Sequence, residues 1–232
     1  MKCPWLLALL ALLPMAAAAG SLQMSNVAGA NYHVPITTLK EERFRNTIHQ
    51  QYDFSCGSAA VATLLTYQYD FPISERIAFL AMYQHGNQAK IRKEGFSLLD
   101  IKRFLAALGF DADGFVVPLG KLEQAHLPAI VLIDVQGYHH FVVIKGMLAG
   151  RVLVGDPAKG TRSIPETEFE KMWTNHLVFV VHNHRDVAIF NSRDDWRAAP
   201  MAMLGGGVDR QGLYNIVMPR NGVSGFNGVS GN

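Results

Sequence analysis

The sequence predicts an α+β domain in which helices from the first half pack onto an antiparallel sheet from the second half. Two observations carry this reading. Between residues 56 and 108, apolar residues recur at helical spacing; from 129 to 181 they fall in short runs rich in valine and isoleucine, punctuated by glycine and aspartate. The chain has 232 residues, of which 49% are hydrophobic, enough to build one ordinary core.

Taken in order, residues 1–19 read as a signal peptide. Lys2 is the positive start, Trp5 to Leu13 the apolar centre, and Ala17-Ala18-Ala19 a small-residue cleavage site after Pro14. The apolar stretch is shorter than the roughly 20 residues of a spanning helix. The mature chain is therefore expected in the periplasm or secreted, with no membrane span. Residues 20–47 are mixed and polar, and Pro35 limits regular structure, so they read as a leader segment that wraps the domain.

A first helix is expected over 56–69, ending before Pro72, and a second over 74–83, ending at His85-Gly86-Asn87. Lys90-Ile91-Arg92-Lys93 reads as a solvated loop. A third helix starts at Ser97, with Asp100 placed for a capping box and Leu98, Ile101, Leu105 and Leu108 on one stripe; Gly109 closes it. Strands follow at 129–134, 140–147 and 151–154, the last two joined at Ala149-Gly150, and Gly155-Asp156-Pro157 turns the chain. A short pairing segment at 161–164, a short helix over 166–172 and a final strand over 177–181 complete a domain spanning 48–185. Residues 186–232 read as a C-terminal extension, glycine-rich from 205. There Asn221-Gly222-Val223-Ser224-Gly225 recurs as Asn227-Gly228-Val229-Ser230-Gly231, too few copies for a solenoid.

The bulk charge excludes some functions. Twenty-one basic and 19 acidic residues leave a formal net charge of +2, with the basic residues scattered, so no nucleic-acid partner is indicated. Residues 155–160 lack the lysine that a phosphate-binding loop needs next, since Thr161 stands there. His182-Asn183-His184 has no cysteine or carboxylate framework and reads as exposed rather than metal-binding. No cofactor is called for.

The chemistry centres on Cys56. Of two cysteines, Cys3 leaves with the signal peptide, and a lone thiol in an exported chain is tolerated, paired with another chain, or reactive. Gly57, Ser58, Ala59 and Ala60 follow it, placing the sulfur at a helix start, where free N–H groups and the helix dipole favour a thiolate. A thiol nucleophile needs a base, a group to orient it, and donors for an oxyanion. His140 at a strand start is a candidate base. Asp156 comes sixteen residues later, across a hairpin, and can orient that imidazole. Gln50, six residues before Cys56, can add its amide to the Cys56 N–H. Taken singly, each has a plain structural explanation: a small buried cysteine, a core histidine, a turn aspartate, an uninformative glutamine. His139 and His140 face opposite sides of a strand, and apolar periodicity does not choose between them.

In Gln50 to Ala60, His140 to Ile144 and Gly155-Asp156-Pro157 the chain resembles the C39 peptidases, papain-like cysteine proteases that remove leader peptides from bacteriocins. The resemblance covers about residues 45–182 and implies Cys56 as nucleophile, His140, directly before Phe-Val-Val, as base, Asp156 as orienting residue and Gln50 as oxyanion donor. It implies a papain-like fold, cleavage after small or glycine residues, and a peptide or protein substrate such as an exported amyloid or bacteriocin-like precursor. Exporter-fused members continue into a membrane domain and an ATPase; the form this sequence resembles is the standalone exported one, as encoded with functional-amyloid secretion systems. Gly205-Gly206-Gly207 reads as a linker, with self-cleavage there as the alternative. Two rival functions use the same residues: a non-cleaving C39-like module that binds an export substrate, and an acyl or amide transferase.

Overall fold

The computed structural model describes residues 21–27, 30–35, 37–173 and 175–199. The signal segment, the triple glycine and the repeated pentapeptide lie outside them. The chain divides into two compact units at Glu42–Arg43. In the first, strands β1 (Ser21–Val27) and β2 (Ala30–Pro35) pair antiparallel, with Ser21 opposite Pro35 and Val27 opposite Ala30. The leader thus carries regular structure after all, because Pro35 sits at the last position of its strand and blocks no interior pairing. A short helix, α1 (Leu39–Arg43), follows; Thr38 and Glu41 cap one another at its start.

The second unit starts its helical layer with α2 (Cys56–Thr63). All eight of its residues are buried, so it is a central helix, apolar all round rather than striped. Its small side chains permit close packing: a Cβ on Gly57 would come within 2.9 Å of the Phe96 Cβ. The helix widens into a π-turn over Leu64–Gln68, close to the expected end at Tyr69. Helix α3 (Glu75–His85) is capped by the Ser74 side chain, which accepts from the Ile77 N–H.

Lys90-Ile91-Arg92-Lys93, expected as a solvated loop, lies inside helix α4 (Gln88–Glu94). Asn87 caps it by accepting from the Lys90 N–H at 3.1 Å, and Gly95 ends it at φ +81°. Asn87, read as part of the break after the second helix, is therefore also the cap of the next. Helix α5 (Leu98–Ala107) has the expected capping box between Ser97 and Asp100, and Gly109 follows at φ +85°.

Next come β3 (Ala112–Val116), α6 (Leu119–Ala125), β4 (Ala129–Val135), β5 (Tyr138–Leu148), β6 (Arg151–Asp156), β7 (Gly160–Pro165), α7 (Glu166–Met172), β8 (Leu177–Val181) and α8 (Arg193–Ala198). The six strands of this unit form one sheet in the order β3-β8-β4-β5-β6-β7, every neighbour antiparallel. Two tight turns set its register. Gln136 and Gly137 (φ +56° and +83°) join β4 to β5, and Ala149 and Gly150 (φ +51° and +71°) join β5 to β6. Positive φ at both central residues matches the strand twist.

Two apolar clusters lie against this sheet. One joins α2, α3 and α5 to Ile130, Phe141, Val143 and Phe179; the other joins α6 and α7 to Val131, Val142, Ile144 and Val178. Adjacent strand residues thus alternate between clusters. Phe169 and Trp173 are fully buried in the second, and the Trp173 indole N–H donates to the Leu177 carbonyl at 3.1 Å.

Residues 186–199, expected as an extension, are laid on β5. The Asn191 N–H donates to the Lys145 carbonyl at 2.9 Å, and its side chain accepts from the Met147 N–H and donates to the Met147 carbonyl. This occurs where the β5–β6 register shifts between Ile144 and Gly146, at a glycine whose side any Cβ would drive into Asn191. From α8, buried Asp195 pairs with the fully buried Lys145 ammonium, which also donates to the Asn46 carbonyl at 2.7 Å and lies 5.4 Å over the Tyr67 ring.

Candidate active site

The four residues singled out from the sequence occupy one region. Cys56 opens α2, is 4% exposed, and lines a cleft of about 910 Å³. Opposite it, the Gln136-Gly137 turn starts β5 so that His140, 5% exposed, is buried, while neighbouring His139 faces solvent 3.8 Å from Asp134. The ambiguity between the two histidines is thereby resolved in geometry. Asp156 ends β6, and its Oδ1 accepts from His140 Nε2 at 2.8 Å. That oxygen also accepts from the backbone N–H groups of Ala158 and Lys159 at 2.9 and 3.2 Å, while Oδ2 faces Arg162 at 3.1 Å.

These contacts set the charges. Burial alone pushes the Asp156 carboxyl up, yet the hydrogen bond and charge of His140, the Arg162 guanidinium and the Ala158 N–H outweigh it and hold the group below the ordinary carboxylate range. Burial likewise opposes a charged His140. The hydrogen bond and charge of Asp156, together with the nearby Cys56 sulfur, overcome this and raise the ring to about 9. With Nε2 taken by Asp156, the other ring nitrogen, Nδ1, is buried without a well-formed hydrogen bond, and it serves as the side of the ring available to the Cys56 thiol. The arrangement can therefore hold a proton between a carboxylate and a sulfur at neutral pH.

Gln50 is tied to the same frame. Its backbone N–H donates to the Pro157 carbonyl at 3.0 Å, pinning it beside the Asp156 turn. Its side-chain amide donates to the carbonyls of Tyr52 and Asp53 at 3.1 and 3.4 Å, bracing the loop that leads to Cys56. An amide so engaged must turn from these carbonyls to meet an oxyanion.

Residues missed in the sequence complete the site. Arg162 gave no signal beyond being a basic strand residue. Helix α4 brings Lys90, Arg92 and Lys93 to the cleft; the Arg92 guanidinium donates to the Tyr83 hydroxyl, and Lys90 sits 3.9 Å from Glu94 on the surface. Phe54, Phe96, Leu98, Leu132 and Phe141 make the lining apolar. The His182-Asn183-His184 run is spent locally. His182 pairs with Asp113 at 3.0 Å, Asn183 bonds Asp111 and Gly109, and His184 reaches the Gly109 carbonyl.

Residues 45–185 match the model of the peptidase C39 family. The chain belongs to that family. It is a cysteine peptidase by the same measure. It is 38% identical over 177 residues to the "Probable functional amyloid protease FapD" of Pseudomonas aeruginosa, covering 76% of this chain and 78% of that one. Its identity to the protein of the same name from Pseudomonas fluorescens is 35% over 176 residues, 75% and 77% of the two chains. In fold, it is similar to the peptidase domain of Streptococcus ComA, with a TM-score of 0.50 at 20% identity, covering 59% of this chain and 97% of that domain. The papain-like α+β architecture expected from the sequence is the one found. Among the described residues, no helix is long and apolar enough to cross a membrane.

Proposed function

We propose that this C39 peptidase cleaves an exported protein substrate through a Cys56–His140–Asp156 triad, outside the cytoplasm, after small or glycine residues. The observation that carries the triad is the 2.8 Å contact between His140 Nε2 and Asp156, which leaves Nδ1 on the Cys56 side. The Cys56 thiolate attacks the scissile carbonyl, forming a C–S bond. The C–N bond then breaks as the proton on His140 Nδ1 passes to the leaving amine. Water, losing its proton to His140, hydrolyses the acyl-enzyme and returns the thiol. Asp156 holds the ring throughout, and the Cys56 N–H with Gln50, once its amide turns inward, serves the oxyanion.

Support for the substrate class comes from two sides. The cleft is lined mostly by apolar side chains, with Lys90, Arg92 and Lys93 of α4 among them, a lining suited to an extended segment. The two relatives are named as functional amyloid proteases, which favours a component of such an export system as the substrate. The N-terminal segment read as a signal peptide favours the periplasm or the exterior as the location.

The test is turnover of glycine-pair peptides by the full chain and by Cys56→Ala, with folding checked by circular dichroism. Loss of all turnover in a folded Cys56→Ala is expected. Retained turnover would exclude the mechanism. In His140→Ala, iodoacetamide labelling of Cys56 at neutral pH should slow by on the order of tenfold or more, because a thiol without its imidazolium partner is only a few per cent thiolate at pH 7.

A further inference from the structure

The cleft above Cys56 is bridged by one side chain. Tyr138 is the first residue of β5, directly after the Gln136-Gly137 turn, and lines the cleft together with Cys56, Asp53 and Gly137. Its hydroxyl donates to the Asp53 carbonyl at 2.6 Å, three residues before Cys56. The two ends of this bond belong to opposite walls, the strand that carries His140 and the loop that leads into the Cys56 helix. The ring lies 6.2 Å from the His140 ring and tilts 32° to it. The side chain remains half exposed, on the cleft side rather than in the core. The same carbonyl accepts from Gln50 Nε2 at 3.4 Å, so the bar and the oxyanion candidate converge on one atom. Burial, then the charges of Cys56 and Asp53, push the phenol above its ordinary range, which keeps the hydroxyl a donor.

Resting on the peptidase reading above, we infer that Tyr138 is a specificity-determining crossbar: its ring and its bond to Asp53 set the clearance over Cys56 and exclude large side chains next to the scissile bond. A rigid ring fixed at both ends cannot swing aside as an unanchored one does, so a branched residue must either break the 2.6 Å bond or bind out of line with the thiol. A glycine passes beneath without contact. Nothing in the apolar lining alone would discriminate against leucine; the bar supplies the repulsive element on which discrimination depends.

The experiment compares the full chain with Tyr138→Phe and Tyr138→Ala, using two probes. Iodoacetamide and its bulkier N-benzyl analogue alkylate Cys56, read by mass spectrometry of the peptide that contains it. This measures clearance whether or not the enzyme cuts anything. The bulky-to-small rate ratio should rise about tenfold or more in Tyr138→Ala, the scale of a clash of one or two methylenes. It should rise by a smaller factor in Tyr138→Phe, which keeps the ring and loses the anchor. Peptides differing only in Gly-Gly, Ala-Ala or Leu-Leu at the cleavage position should show the same shift in relative kcat/KM. An unchanged probe ratio in folded Tyr138→Ala overturns the crossbar. A changed ratio with no peptide cut by any form upholds the crossbar while overturning the proposed cleavage after small or glycine residues.

Discussion

The Asp156→Asn substitution tests how the pair is charged, and its effect can be worked from the contacts. In the native site one oxygen accepts from His140 Nε2 at 2.8 Å and from two backbone N–H groups, and the other faces Arg162 at 3.1 Å. An asparagine that keeps its oxygen toward His140 and the backbone turns its NH2 toward the Arg162 guanidinium, donor against donor. Flipped, it sets that NH2 against three donors. The first arrangement is preferred, retaining a neutral hydrogen bond to His140 in place of a charged one. A hydrogen bond to a charged group is worth about 1.5–3 kcal/mol, and each 1.36 kcal/mol is about tenfold in rate. Set against the neutral bond that remains, worth about 0.5–1.5 kcal/mol, the imidazolium loses about 1–1.5 kcal/mol, so kcat/KM should fall about five- to twelvefold without vanishing. His140 should also titrate lower, moving from about 9 back toward the ordinary imidazole value of 6.5 as the carboxylate's contribution is removed. The assay is the alkaline limb of kcat/KM on a glycine-pair peptide, with the His140 ring protons followed by NMR over the same range. The limb and the NMR midpoint should shift to lower pH together. Turnover within twofold of the native enzyme, with both midpoints unmoved, would mean that Asp156 does not orient the base.

Three further outcomes are expected. Asp195→Ala leaves the Lys145 ammonium buried without its counterion, whose burial already pushes its pKa down, and should cost about 3–5 kcal/mol in urea unfolding; Lys145→Met with Asp195→Leu should recover most of it, and a chain ending at 185 should be at least as unstable as Asp195→Ala. Stability should have a defined pH window: His140, raised to about 9, contributes fully below about 6.5 and loses its contribution as pH rises through 9, whereas Asp156, lowered from 3.8, contributes above that value and loses it as pH falls; urea midpoints measured at pH 5.5, 7.5 and 9.5 should therefore decline, and the alkaline decline should shrink in His140→Phe. Gly57→Ala places a methyl 2.9 Å from the Phe96 Cβ, between two packed elements, and should cost about 1–3 kcal/mol in the same assay; an unchanged midpoint would show that the α2–Phe96 contact can yield.

What the chain determines by itself is what acts over a few residues. Ser97 and Asp100 cap α5, glycines at 109, 137 and 150 take the positive φ their turns demand, and apolar runs from 129 to 181 become strands. Elements without such local signals were not legible. β3 contains Asp113 and Gly114, poor strand formers, and is a strand because β8 pairs with it. α6 and α8 are seven and six residues long, too short to show a period, and their sense comes from what they pack against. Cys56, His140 and Asp156 could be proposed from sequence because their blocks carry local character, a helix start and strand ends, beside the family resemblance. The family block selects His140 over His139, but the pairing of Asp156 with Arg162, the span from Tyr138 to Asp53 and the burial of Lys145 by Asp195 were decided only in three dimensions. Lys145 carries no local sign of burial in Val-Val-Ile-Lys-Gly; a carboxylate fifty residues away meets it in the core. Caps and turns are short-range bonds written into neighbouring residues; Tyr138 with Asp53 and Lys145 with Asp195 join residues far apart in the chain, and Asp156 meets Arg162 only where β6 pairs with β7.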